Sequence, residues 1–91
     1  MTLRIVRSEA RDEAVIALHG WLRDAAVGVF ETTSSEIPLP LCIDLENLAG
    51  ADGAGLQALH RERRRGARLA GASPYIALLL ERAERRSGDE V

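Results

Sequence analysis

The apolar positions divide the chain into short segments of two kinds. Residues 3–7, LRIVR, and 14–19, AVIALH, read as two short strands, and the polar SEARDE between them turns the chain into a hairpin. After Gly20 the spacing changes. Leu22, Ala25, Ala26, Val29 and Phe30 recur at i, i+3, i+4, i+7 and i+8, the stripe of an amphipathic helix, which is expected to end between Thr33 and Glu36. Ile37-Pro38-Leu39-Pro40 stops any helix, since each proline lacks an amide donor and drives its predecessor toward extended geometry.

Leu41-Cys42-Ile43-Asp44-Leu45 is almost continuously apolar, as a strand covered on both faces requires. The next stretch, LENLAGADGAGL (residues 45–56), crosses from this strand into a second helix expected from Gly53 to Arg65, with Leu56 and Leu59 inward and Gly66 as its C-terminal cap. Residues 67–71 are assigned as a strand by their place between two helices. Ser73 then caps a third helix with Pro74 in its first turn and Ile76, Leu79, Leu80 and Ala83 as its buried stripe. The order β-β-α-β-α-β-α, joined by crossovers, predicts an α/β fold with a mixed sheet of about four strands. One domain spans residues 1–91, with residues 86–91 as a frayed tail.

Composition narrows the function classes. Ninety-one residues with 46% hydrophobic content suffice for one core and leave no room for a second domain. The N-terminus lacks the apolar core of a secretory signal, and the longest apolar run, YIALLL, is too short to span a bilayer, so a cytoplasmic protein without membrane insertion is expected. The formal charge of −2, carried with twelve basic residues that are all arginine, gives no general attraction to nucleic acid. A single cysteine, Cys42, excludes an intramolecular disulfide and reads as a small buried hydrophobe.

Little in the chain suits catalysis. His19 and His60 have no second histidine, cysteine or carboxylate at metal-ligand spacing, so neither a metal nor a cofactor is implied. Ser8, Ser34, Ser35 and Ser73 read as turn and cap residues, and no Ser-His-Asp or Cys-His set is credible. Trp21 is expected to pack over the first helix. The run HRERRRGAR (residues 60–68) resembles a phosphate-binding patch, but Glu62 interrupts it, and its cations also suit the carboxyl end of a helix. A small arginine-rich nucleic-acid binder rests on this run alone.

The junction itself carries a resemblance. Asp44-Leu45, then Asp52-Gly53-Ala54-Gly55-Leu56, then the basic segment Arg61 to Gly66 resemble the STAS domain, as does the upstream IALHGWL turn. This is the fold of bacterial anti-sigma factor antagonists and of related domains attached to transport systems. The resemblance implies that the antagonists of that family are switched by phosphorylation of the Ser or Thr that directly follows the motif aspartate. Gly53 stands at that place, and no side chain from Asp52 to Leu56 carries a hydroxyl that could form a phosphate ester.

The resemblance implies a non-catalytic protein-binding module that meets an anti-sigma factor or kinase-like protein through Asp52, Gly53, Ala54, Gly55 and Leu56. It would do so without the charge switch of about −1.5 to −2 that phosphorylation supplies. Small stand-alone STAS proteins also resemble the cytoplasmic accessory subunit of an ABC-type phospholipid transport system, which would make an ABC ATPase the partner. A homodimer through the hairpin or the helix faces stays open. From the residues alone, Asp52 is placed to cap the second helix and the glycines to let another chain approach its backbone.

Overall fold

The computed structural model describes the backbone of residues 3–89 and the side chains of residues 3–84. β1 (Arg4–Ala10) and β2 (Glu13–Leu22) form the expected hairpin, paired antiparallel from Arg4↔His19 to Ala10↔Glu13. Arg11, the first of its two turn residues, has φ 56°, the sign required by the primed turns whose twist matches that of the strands. β2 runs past His19 through Gly20, Trp21 and Leu22, with a register irregularity between Gly20 and Trp21.

The remaining elements are α1 (Ala25–Ser35), β3 (Leu41–Asp44), β4 (Leu48–Ala51), α2 (Gly53–Arg65), β5 (Arg68–Ala70) and α3 (Pro74–Asp89). The order is therefore β-β-α-β-β-α-β-α, one strand more than the hydrophobic pattern implies. The additional strand, β4, lies inside the stretch read as a loop. It escapes notice because Leu-Ala-Gly-Ala is short and poor in β-formers. Pairing decides it instead, with Gly20↔Leu48, Trp21↔Gly50 and Leu22↔Ala51 lying parallel along the end of β2.

The sheet runs β1-β2-β3-β5, with β4 beside the far end of β2. β2 is long enough to serve two neighbours on the same side, β3 along Ala14–Ala17 and β4 beyond it. β3 pairs parallel with β5 through Cys42↔Arg68, Ile43↔Leu69 and Asp44↔Ala70, which puts into the sheet the strand expected from its place between two helices. The core forms where Ile16, Leu18 and Leu22 of β2 and Leu41 and Ile43 of β3 meet Phe30 of α1, Leu59 of α2 and Ile76 of α3.

The phase of α1 differs from expectation. Leu22 belongs to β2, and the helix starts at Ala25 and buries Val27, Phe30 and Ser34, leaving Val29 58% exposed. Counting Leu22 as helical put Val29 on the inner stripe. In α3 the expected pattern holds, with Ile76 and Leu80 buried and Leu79 and Ala83 packed at the margin of the core. The backbone of α3 is helical as far as Asp89, into the segment expected to fray, and residues 90 and 91 lie outside the described residues. Among the described residues no helix is long and apolar enough to cross a membrane.

α2 ends as its sequence directs. Gly66 has φ 122° and its N–H donates to the carbonyls of Arg63 and Glu62, while Ala67 N–H reaches Glu62 at 2.9 Å. This is the Schellman arrangement, and it satisfies carbonyls that the helix leaves unpaired.

Candidate functional site

The beginnings of α1 and α2 meet at one carboxylate. Asp52 is extended (φ −84°, ψ 179°) and caps α2, its Oδ1 accepting from Gly55 N–H at 2.8 Å. Its Oδ2 accepts from the N–H of Asp24 at 3.0 Å. Asp24 precedes α1 with φ 53° and ψ −131°, a region that favours glycine, and its own side chain makes no capping bond. A single side chain thus satisfies one amide at the start of each helix, where unpaired N–H groups and the helix dipole both favour negative charge. The Asp24 amide, then the Gly55 amide, hold the Asp52 carboxyl below the ordinary carboxylate range.

The five motif residues divide between surface and core. Gly53 and Ala54 are exposed, Asp52 is partly covered, and Gly55 and Leu56 are buried. A Cβ on Gly53 would meet nothing within 4 Å. A Cβ on Gly55 would fall against the Leu22 carbonyl oxygen and lie 3.0 Å from Leu22 Cγ. The close backbone approach at Gly55 is therefore made by β2 of the same chain, and the part of the motif open to a second molecule is Gly53-Ala54 with the rim of Asp52.

Sequence reasoning missed the surface next to it. The Asp24–Asp52 bond brings the start of α1 to the start of α2, and on the exposed side of α1 Ala25, Gly28, Val29, Thr32 and Thr33 line a shallow depression of about 500 Å³. From Ala25 to Phe30 the helix has no polar side chain, and a Cβ on Gly28 would meet nothing within 4 Å. The strip is smooth, uncharged and open. The available signal was Val29, an apolar residue that the correct helix phase turns outward.

The arginine run is largely spent on internal contacts. Arg61 pairs with Glu31 of α1 at 2.6 Å, Arg63 with Glu84 of α3 at 2.9 Å, and Arg68 with Glu13 of β2 at 2.7 Å. Arg65 pairs with Glu62 and also donates to the carbonyls of Ser34 and Ile37, at 3.1 and 3.3 Å, closing the carboxyl end of α1. His60, in the same run, is buried, and its Nε2 donates to the Leu80 carbonyl at 2.8 Å, which ties α2 to α3. A carbonyl can only accept, so that nitrogen carries the proton.

Other candidates have structural partners. Trp21 lies across Gly50 of β4, where a Cβ would come within 2.7 Å of its ring, and the Arg23 guanidinium stands 5.0 Å from the ring centroid. Cys42 is buried, and that burial pushes its thiol above the ordinary value, away from the reactive thiolate. Ser34 and Ser35 donate to helix carbonyls, and Ser73 Oγ accepts from Ile76 N–H at 3.2 Å as the cap of α3. Among the described residues no group of three or more His, Cys, Asp or Glu side chains is placed to hold a metal ion.

No protein-family model matches the chain, and no curated protein matches it. Solved structures do. The anti-sigma factor antagonist SpoIIAA in its unphosphorylated form superposes with a TM-score of 0.66 at 19% identity, over 88% of this chain and 82% of that one. An antisigma-factor antagonist STAS domain from Rhodobacter sphaeroides superposes with a TM-score of 0.62 at 26% identity, over 80% of this chain and 94% of that one. The crystal structure of Mglu gives a TM-score of 0.62 at 16% identity, over 76% of this chain but only 19% of the larger protein. With the same architecture over most of its length as these two structures, the chain has a STAS-like fold.

Proposed function

We propose that this domain is a non-catalytic, protein-binding regulatory module that acts as an anti-sigma factor antagonist without the phosphorylation switch. The observation that carries the reading is Gly53. It is the first residue of α2, exposed, at the place where the resemblance expects a hydroxyl, and it has no oxygen to accept phosphate. The binding surface comprises Gly53, Ala54, the rim of Asp52 and the uncharged strip of α1 around Val29. An anti-sigma factor of the kinase type docks there, and its ATP cannot release it by modifying the loop. Antagonism is then set by the amount of protein present.

The test pairs the native chain and Gly53→Ser with an anti-sigma kinase and ATP. Both should bind, only Gly53→Ser should take up phosphate at residue 53, and phosphate there should weaken the complex. Phosphate on residues 50–56 of the native chain, or no binding by either form, would refute the reading. Co-purification with a permease and its ABC ATPase instead would assign the domain to the transport class.

A further inference from the structure

The other end of the molecule presents a second surface, independent of the reading above. We propose that the open edge of β1 is a self-association surface, on which a second copy of this chain adds its own β1 antiparallel about a two-fold axis through Ser8. Among the described residues β1 pairs only with β2, and does so in uninterrupted register over seven residues with neither bulge nor proline. Natural edge strands are shortened, bulged, covered or charged to prevent such pairing, and of these β1 has only charges, Arg4, Arg7 and Glu9, of which Arg7 and Glu9 are of opposite sign.

The direction of the free backbone groups follows from the turn. The two-residue connection Arg11-Asp12 makes Ala10 and Glu13 a hydrogen-bonded pair. The alternation of an antiparallel ladder then commits Ser8, Val6 and Arg4 to β2 and leaves the N–H and C=O of Ile5, Arg7 and Glu9 directed outward.

Charge selects the register. Centred on Ser8, the two-fold sets Arg7 opposite Glu9 of the second copy, and Glu9 opposite its Arg7. Centring on Arg7 or on Glu9 would place like charges face to face, which is unfavourable in a sheet. Arg7 and Glu9 have no ion pair or side-chain hydrogen bond among the described residues, whereas Arg61, Arg63, Arg65 and Arg68 each meet a glutamate. The same register carries Ile5 of the second copy to Arg11. There a groove of about 370 Å³, walled by Ile37, Pro38 and Leu39, leaves Leu39 43% exposed.

Sedimentation of the full chain over a concentration series up to about 1 mM should show a reversible monomer–dimer equilibrium. Arg7→Glu turns both opposite-charge pairs into like-charge pairs and should weaken the dimer about tenfold or more, and Arg7→Glu with Glu9→Arg should restore it. A Ser8→Cys variant tests the axis. The two Ser8 Cα atoms would face each other at about 4.5 Å, within disulfide reach, while two Val6 positions would lie about 14 Å apart along the strand. Ser8→Cys should therefore cross-link rapidly and Val6→Cys should not, with the native chain and its buried Cys42 as baseline. A monomer at every concentration, or equal cross-linking at positions 6 and 8, would overturn the proposal.

Discussion

Replacing Asp52 with asparagine changes almost no volume and removes one of the two bonds that fasten the helix starts. Asparagine keeps one oxygen for either Gly55 N–H or Asp24 N–H, and its amide NH₂ must then face the other donor. An N-cap contributes about 1 kcal/mol, and the second bond, which is exposed and so screened by solvent, about 1–1.5 kcal/mol, the range of an ordinary net hydrogen bond. Asp52→Asn should therefore cost about 1–1.5 kcal/mol and Asp52→Ala about 2–2.5 kcal/mol. At about 4–8 °C per kcal/mol for a domain of this size, Tm should fall by about 4–12 °C and 8–20 °C.

Thermal and urea unfolding of the three proteins provide the measurement, and pH supplies a second axis. The folded-state pKa of Asp52 is depressed, so its contribution is complete above the unfolded value of about 3.9 and is lost as pH falls through the folded value. The gap between the native protein and Asp52→Asn should be full at neutral pH and close in strong acid, where the protonated carboxyl resembles the amide. An asparagine variant as stable as the native chain at pH 7, or a gap that ignores pH, would refute the two-helix bridge.

Four further outcomes are expected. Asp24→Gly should raise stability by about 0.5–1 kcal/mol, because it relieves a φ of 53° and removes no capping bond; any loss in calorimetry counts against this. Gly53→Ser should stay within about 0.5 kcal/mol of the native protein, while Gly55→Ala should cost more than about 2 kcal/mol because backbone blocks its Cβ, as parallel urea titrations would show. Arg65→Ala should cost about 1–2 kcal/mol by removing its bonds to the Ser34 and Ile37 carbonyls at the end of α1, whereas Arg61→Ala, despite its 2.6 Å ion pair, should cost less than about 0.5 kcal/mol. His60→Leu should cost about 1–2 kcal/mol by removing the buried Nε2–H bond that ties α2 to the Leu80 carbonyl of α3, and amide exchange should quicken first across the α2–α3 contact.

Much of the architecture is legible locally because its signals are local. The two prolines of Ile37–Pro40, Gly66 after three arginines, and Ser73-Pro74 each fix an element boundary by steric or hydrogen-bonding chemistry within a few residues. β4 is not legible that way. Its small residues follow no clear alternation, and it is a strand because β2 extends past Gly20 to receive it. The phase of α1 failed for the same cause, since Leu22 belongs to that extension.

Within the site, Asp52 as a helix cap could be read directly, but its second bond could not. Asp24 lies 28 residues earlier, and the contact exists only once the hairpin and β4 have brought the two helix starts together. The opposite environments of Gly53 and Gly55 were equally hidden, since two glycines in a sequence look alike and only the position of Leu22 distinguishes them.

The adjacency of Asp52 and Gly53 bears on how regulation can be gained or lost in descent. Folding constrains the first position, because two helices depend on its carboxylate, while the second carries no packing burden at all. Some glycine codons differ from serine codons by a single base. Residue 53 can therefore exchange glycine for a hydroxyl-bearing residue, by a single base where the codon allows it, at little cost in stability, while the aspartate beside it stays fixed by the two helices that it fastens.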